Sequence, residues 1–287
     1  MVGPVVRIGE HGFMRSDGWH LTDDVPGRVV DFLRSRPALH TMQLTVTAQP
    51  RARGTLFGWL ETEGAVRGFL YRLSSHRVHL TRLSPEQAES LVVHLGAAGQ
   101  QLTGVTSDHD TATAFAEAWR RHTGVEATPN WWGRLHRLGT LTPPEPEPAG
   151  AARLAGPADL DQVIRWCGDF ATAVDDSLDP AAWASSRYAD KHFTFWETPT
   201  GEPVSMAGST RLIGGMVRVD PVYTPAHLRG RGYAGAVTVA VSAAALAAGA
   251  GDVVLFTNPA NRTSNDLYRR IGYVPLAELT GYAFSRT

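Results

Sequence analysis

The hexapeptide Arg229-Gly230-Arg231-Gly232-Tyr233-Ala234 stands between an apolar run, Met216–Tyr223, and a long alanine-rich stretch. A strand that breaks into a glycine-dense basic loop and then opens a helix can hold phosphate. Glycine lets the backbone approach a ligand closely, and the first amides of a helix have no intrahelical partner. The helix dipole, Arg229 and Arg231 add positive potential at the same place. An ordinary glycine turn ahead of a helix is the bland alternative, since such turns are common.

The elements that must position this loop follow from pattern. The second half of the chain opens with a helical stretch near Ala158–Val174, with Asp159 and Asp161 in its first turn. A second helix is expected from Asp179, where an Asp cap precedes Pro180. Strands are expected over Phe193–Glu197, Val204–Ser209 and Met216–Tyr223. A helix from Tyr233 to about Ala248 is stopped by Gly249. Val253–Thr257 reads as a buried strand, Ser264–Ile271 as a helix ended by Gly272, and Tyr282–Ser285 as a final strand.

The first half repeats this order in blurred form. Asp24–Arg34 reads as a helix, and Met42–Thr47, Thr55–Glu61, Gly68–Leu73 and His76–Leu83 as strands. Glu86–Leu95 and Thr111–His122 read as helices, the latter capped by Asp110 and closed by Gly124. Where the second half has its glycine loop, the first has Leu83-Ser84-Pro85-Glu86-Gln87, with an acid, a proline and no glycine. That copy should not bind a pyrophosphate. Thr142–Gly150 carries alternating prolines, which suit an extended linker. The expected division is residues 1–141, a linker over 142–150, and residues 151–287.

Composition narrows the functional classes. The 287 residues are 43% hydrophobic and 19% charged, enough for one large domain or two ordinary ones. A formal net charge of −1 gives no reason to expect nucleic acid or an anionic membrane as partner. Cys167 is the one cysteine, so no internal disulfide and no cysteine-based zinc cage can form. No apolar run approaches a membrane span, and the N-terminus lacks a signal-peptide core, so a cytoplasmic protein is expected.

With its flanks, the loop carries a family resemblance. Arg229–Ala234 fits Arg/Gln-x-x-Gly-x-Gly/Ala and resembles the acyl-CoA loop of the GNAT superfamily of N-acetyltransferases. Val219–Pro225 resembles that family's splayed fourth strand. Asn261 through Tyr273, with Asn261, Asn265, Tyr268 and Gly272-Tyr273, resembles its second signature. The strong likeness spans residues 153–287. Residues 1–140 share only the element order, as in tandem members with one degenerate domain. The resemblance implies an α/β (α+β) fold of two GNAT-like domains, each a mixed, mostly antiparallel sheet flanked by helices.

It also implies acetyl-CoA as acyl donor, no metal, and transfer of an acetyl group to an amine by direct attack in a ternary complex. The residues it assigns to the cofactor are Val222, Tyr223, Thr224, Arg229, Gly230, Arg231, Gly232, Tyr233, Ala234, Asn261 and Asn265. A backbone N–H of Val222 or Tyr223 would face the thioester oxygen. Tyr268 would be the acid that protonates the departing thiolate. The acceptor is expected to be a small-molecule amine, and a homodimer stays open.

No single base for the attacking ammonium declares itself. Glu197, Asp220, Asp175 and Asp176 are candidates, each also readable as a surface acid, and a water chain would serve. For Tyr268 the competing role is a core tyrosine, and for Asn261 and Asn265 loop and cap chemistry. His76, His79, His94, His109, His122 and His136 fit no metal-ligand spacing. Cys167 reads as a buried thiol. Trp59, Trp119, Trp131 and Trp132 read as packing residues, while Trp166, Trp183 and Trp196 could wall an acceptor pocket.

Gly230-Arg231-Gly232-Tyr233-Ala234-Gly235 also satisfies the dinucleotide fingerprint Gly-x-Gly-x-x-Gly. That motif should follow the first strand of its unit and precede an acid at a later strand end. Here several strands in hairpin order come first, and Asp252 precedes its strand. Two further readings remain: an acyl-CoA-binding regulator without turnover, and acylation of a protein N-terminus or lysine.

Overall fold

The computed structural model describes residues 18–22, 24–50, 53–73, 77–174 and 191–285. The first half runs β1 (Gly18–Thr22), α1 (Gly27–Arg34), α2 (Thr41–Thr47), β2 (Leu56–Thr62), β3 (Ala65–Arg72) and β4 (Arg77–Leu80). It continues with α3 (Pro85–Ala97), β5 (Gly104–Asp108), α4 (His109–Thr123) and β6 (Glu126–Leu138). The second half runs β7 (Ala151–Leu154), α5 (Leu160–Ala173), β8 (Lys191–Glu197), β9 (Pro203–Thr210) and β10 (Met216–Tyr223). Then come α6 (Tyr233–Ala247), β11 (Asp252–Thr257), α7 (Arg262–Arg270) and β12 (Tyr273–Ser285). The Asp179 helix, Asp175, Asp176, Trp183 and His76 lie outside the described residues.

All strands join one 12-stranded sheet in the order β1-β2-β3-β4-β5-β12-β6-β11-β10-β9-β8-β7. The order has an internal two-fold: each strand of the first half matches the strand six places later. Two neighbouring pairs are parallel, β4 with β5 and β10 with β11, each bridged by a helix; the others are antiparallel. This is a mixed, mostly antiparallel α/β architecture.

The halves exchange their last strands. β6 pairs with β11 of the second half, and β12 pairs with β5 of the first. β6 and β12 lie against each other from Tyr273↔Leu138 to Ser285↔Glu126. A register shift between Pro275 and Ala277 accommodates the proline, which cannot donate to a ladder. Side chains reinforce the exchange. His109 Nδ1 lies 2.9 Å from Thr280 Oγ1, and the Thr113 hydroxyl lies 3.0 Å from the Tyr282 hydroxyl. Phe284 stacks on Trp119 inside the first half's core.

Alternation along β10 decides which layer each residue joins. Val217 and Val219 pack under α6 with Val237, Val241, Val253 and Leu255. Met216 faces the opposite layer, where Leu33, Leu44, Phe57, Phe69 and Leu135 of the first half meet Val254 of the second. Arg218, also buried, reaches Thr45 Oγ1 at 3.0 Å and Thr41 Oγ1 at 3.2 Å on α2.

Several local expectations are corrected. Met42–Thr47 is helical, not a strand. Its threonines satisfy their hydroxyls by donating to carbonyls one turn back, Thr45 to Thr41 O at 2.7 Å and Thr47 to Gln43 O at 3.0 Å. The cap of α4 is Asp108, whose side chain accepts from Thr111 N, not Asp110. Gly124 does close that helix, in the left-handed conformation. The final strand starts at Tyr273, well before Tyr282. Strands β1, β5, β6 and β7 had no counterpart in the pattern reading.

Burial lowers the pKa of His40, His136 and His79, the last to about 4, with Arg77 contributing at His79. Unfolded histidines titrate near 6.5, so below that pH the unfolded chain binds protons that the folded chain refuses. Stability should therefore fall as pH drops below 6.5 toward 4.5, by up to about 1.4 kcal/mol per pH unit from His79, with His40 and His136 adding in the same direction. Urea melts across that range check it; a midpoint unchanged from pH 7 to 5 would contradict it.

Candidate functional site

β10 and β11 hold the site because they part. They pair only over Met216–Arg218 and Asp252–Val254. Beyond that point β11 continues its ladder with β6 on its other edge, and among the described residues no strand pairs with the β11-facing edge of β10 at Val222 and Tyr223. On its other edge β10 pairs with β9 through Val219↔Ser209 and Val222↔Ala207, with a bulge between them at Asp220 and Pro221. The result is a slot with one open backbone edge, the form that adds an extended ligand as a strand would be added.

At the slot's end β10 passes through a 3₁₀ turn, Ala226–Leu228, into the glycine loop. Arg229 Nε donates to Thr224 O at 3.0 Å, and Arg231 lies over His227 O, so both guanidinium groups stay beside the loop. Thr224 Oγ1 is 2.8 Å from Ser205 Oγ, which also donates to Tyr223 O. Gly230 and Gly232 have φ of 77° and 83°, and Gly232 is the residue from which α6 starts. Only glycine adopts that conformation without strain.

No side chain among the described residues caps α6. Among the described residues, the first amide that a backbone carbonyl engages there is Ala236 N, to Gly232 O. The amides from Gly230 to Gly235 thus have no carbonyl partner among the described residues, a cradle that can receive an anion at the positive end of a helix. An added Cβ at Gly230 would meet open space, whereas one at Gly232 would touch Pro148 at 3.7 Å, so the proline-rich segment borders the loop on that side. The equivalent end of α3 is closed: Ser84 Oγ accepts from Gln87 N, and Gln87 Oε1 accepts from Ser84 N. Glu86 adds a negative charge. The first half thus has the frame without the cradle.

Tyr268 lies on α7, packed near Tyr273 and His136, and is 8% exposed. Burial raises its pKa well above the ordinary phenol value, and Tyr273 and Asp220 add to the rise. Tyr268 shares one apolar cluster with Val219 and Val222 of β10, which sets its ring under the splayed strand. A neutral phenol at that position can donate a hydrogen bond throughout the neutral range. The first half differs again. Seven residues beyond its N-cap, α7 carries Tyr268; seven residues beyond Asp108, α4 carries Phe115, which has no hydroxyl.

The two asparagines do structural work at the start of α7. Asn261 is its N-cap and accepts from Ser264 N at 3.1 Å. Asn265 is buried; its Nδ2 donates to Asn258 O and Asn261 O, and its Oδ1 accepts from Thr257 Oγ1 at 2.8 Å. They fix the loop between β11 and α7. Tyr223 turns its ring toward Trp166, and its hydroxyl lies 3.4 Å from Asp169 Oδ2.

Of the base candidates, Glu197 is tied to Arg153 at 2.7 Å on the far side of the second half. Asp220 pairs with the buried ammonium of Lys191 at 2.6 Å. Sequence reasoning missed Lys191, since a lysine at a strand start signals nothing until its partner is known. It also missed His136, which arrives at the Tyr268 environment on the exchanged strand. Among the described residues no group of three His, Cys, Asp or Glu could hold a metal, and no helix is long and apolar enough to cross a membrane. A recess of about 530 Å³ lies in the first half, between the ends of α3 and α4. Its apolar and amide lining carries no acid–base group apart from His122, so it does not compete with the slot for the chemistry.

The architecture, with its splayed parallel pair and glycine loop, is the fold of the GNAT superfamily. Residues 207–280, which span the slot, the loop and α7, match the family model described as FR47-like protein. The chain is similar to a GCN5-related N-acetyltransferase from Kribbella flavida, with TM-score 0.57 and 19% identity over 89% of this chain and 96% of that one. It is also similar to a GCN5-related N-acetyltransferase from Sphaerobacter thermophilus, with TM-score 0.57 and 15% identity over 92% and 94% of the two chains. A tandem GNAT protein from the clavulanic acid biosynthesis pathway aligns over 94% of this chain and 99% of its own, with TM-score 0.53 and 12% identity. No curated protein matches the chain.

Proposed function

We propose that the protein transfers an acetyl group from acetyl-CoA to the amine of a small-molecule acceptor. The observation that carries this is the glycine-led start of α6, without a side-chain cap among the described residues, placed where β10 parts from β11. These features fit the two ends of an acyl-CoA: the amides of Gly230–Gly235 with Arg229 and Arg231 suit its diphosphate, and the edge of Val219–Tyr223 suits the amides of its pantetheine arm. Acetyl-CoA supplies the activated acyl group.

The chain's own residues then have distinct tasks. The N–H groups of Val222 or Tyr223 stabilise charge that develops on the acyl oxygen. Tyr268 holds its proton in readiness for the leaving sulfur, which needs one because a thiol titrates near 8.5. The acceptor must arrive as, or become, a free amine. Asp220 stands on the slot's own strand, ion-paired with Lys191 at 2.6 Å, and is one carboxylate that could take the proton, directly or through water. Direct attack requires no nucleophile from the protein.

The test is release of free thiol from acetyl-CoA in the presence of a panel of polyamines, amino sugars, amino acids and aromatic amines. Acetylated product should appear with at least one small amine. Tight CoA binding with no turnover on any amine would favour a regulatory acyl-CoA-binding protein instead. Turnover on peptides alone would move the acceptor to a protein amine.

A further inference from the structure

We propose that His136, carried by the first half on the exchanged strand β6, is a positioning residue for the second half's Tyr268. This rests on the acyltransferase reading for what Tyr268 does, but its geometry stands independently. His136 lies between Leu255 of β11 and Pro275 of β12 and is buried. Its Nε2 is 3.0 Å from Thr257 Oγ1 and 3.2 Å from Asn265 Oδ1.

The neighbours' own hydrogen bonds point to one tautomer. Asn265 spends its Nδ2 protons on the carbonyls of Asn258 and Asn261, so its Oδ1 is the atom that faces Thr257 and His136. Thr257 has a single hydroxyl proton and gives it to that Oδ1. Both atoms near His136 Nε2 are thus acceptors, and Nε2 must carry the hydrogen. In the neutral imidazole Nδ1 is then a bare lone pair, and among the described residues the buried Nδ1 has no hydrogen-bond partner. A second proton would sit there with no acceptor. Burial lowers the pKa; the hydrogen bond to Asn265 and the charge of Glu278 oppose this, while Arg134 and Arg269 assist it.

The single N–H of His136 therefore closes a three-residue knot of His136, Thr257 and Asn265. The knot ties the end of β11 to the first turn of α7 and holds the Asn258–Asn261 loop in place. Tyr268 is three residues beyond Asn265 on the same helix face, so its hydroxyl inherits that fixation. The second half's site is thereby completed by a side chain of the first.

The experiment compares His136→Gln with His136→Asn in the full-length chain. Glutamine places an amide N–H near the Nε2 position, whereas asparagine reaches only to the Nδ1 position. With an amine acceptor found, H136N should lose about tenfold or more in kcat with the KM for acetyl-CoA within about twofold, and H136Q should recover most of that loss. Amides of residues 258–268 should exchange with deuterium about tenfold faster in H136N than in the wild type, those of 228–235 unchanged. Equal behaviour of the two variants, or unaltered exchange over 258–268 in H136N, would overturn the proposal. If the wild type turns over no amine, the acyltransferase reading fails by itself, and the exchange comparison still decides whether His136 positions α7.

Discussion

Residues 151–287 expressed alone should fail to form a cooperatively folded monomer, although they contain every residue assigned to the cofactor. In that fragment β12 loses both neighbours, β5 and β6, and β11 loses β6. Leu255, Val254, Met216 and Tyr273, all buried against or beside the exchanged strands, would face water. Each such side chain is worth about 1.5–3 kcal/mol on burial, and a whole domain has only about 5–15 kcal/mol to lose. The open edges would also invite pairing with other chains. Near-ultraviolet circular dichroism and a urea melt of the fragment check this. A sharp two-state melt of monomeric 151–287 would show that the exchange is dispensable.

Tyr268→Phe should lower kcat by about 10²–10³ while leaving the KM for acetyl-CoA nearly unchanged. The substitution removes only a hydroxyl and keeps the ring that packs on Tyr273, so the melting temperature should move little. The first half already presents the same change, with Phe115 at the matching helical position. Steady-state kinetics with both substrates varied would test this. An unaltered kcat would assign Tyr268 to packing, beside Tyr273 and Ile271.

The glycine loop, the helix it opens, and the last helix were legible because their signals are local. Gly232 in a left-handed conformation and Asn261 as a cap are properties of a few neighbouring residues. β6 was not legible. Pro129, Asn130 and Gly133 break its pattern, and Trp131 and Trp132 are adjacent yet both exposed, so no alternation marks a buried face. Its partners lie over a hundred residues away in sequence, beyond what periodicity reports. The same non-locality hid His136: among eleven histidines, nothing in spacing sets it apart until β6 is laid against β11. Met42–Thr47 misled for the opposite reason. Its alternating apolar side chains and β-branched residues imitate a strand, but packing of Leu44 into the core between the halves favours the helix.

The most direct measurement is calorimetric titration of CoA into the full-length protein and into its Gly232→Asp variant. The free amides at the start of α6 predict saturable heat with one CoA per chain for the wild type. For the variant, where a carboxylate and a strained left-handed backbone replace the glycine, binding should weaken by at least about a hundredfold. No heat with the wild type, or equal affinity in the two proteins, would contradict the assignment of this loop as the site of acyl-CoA binding.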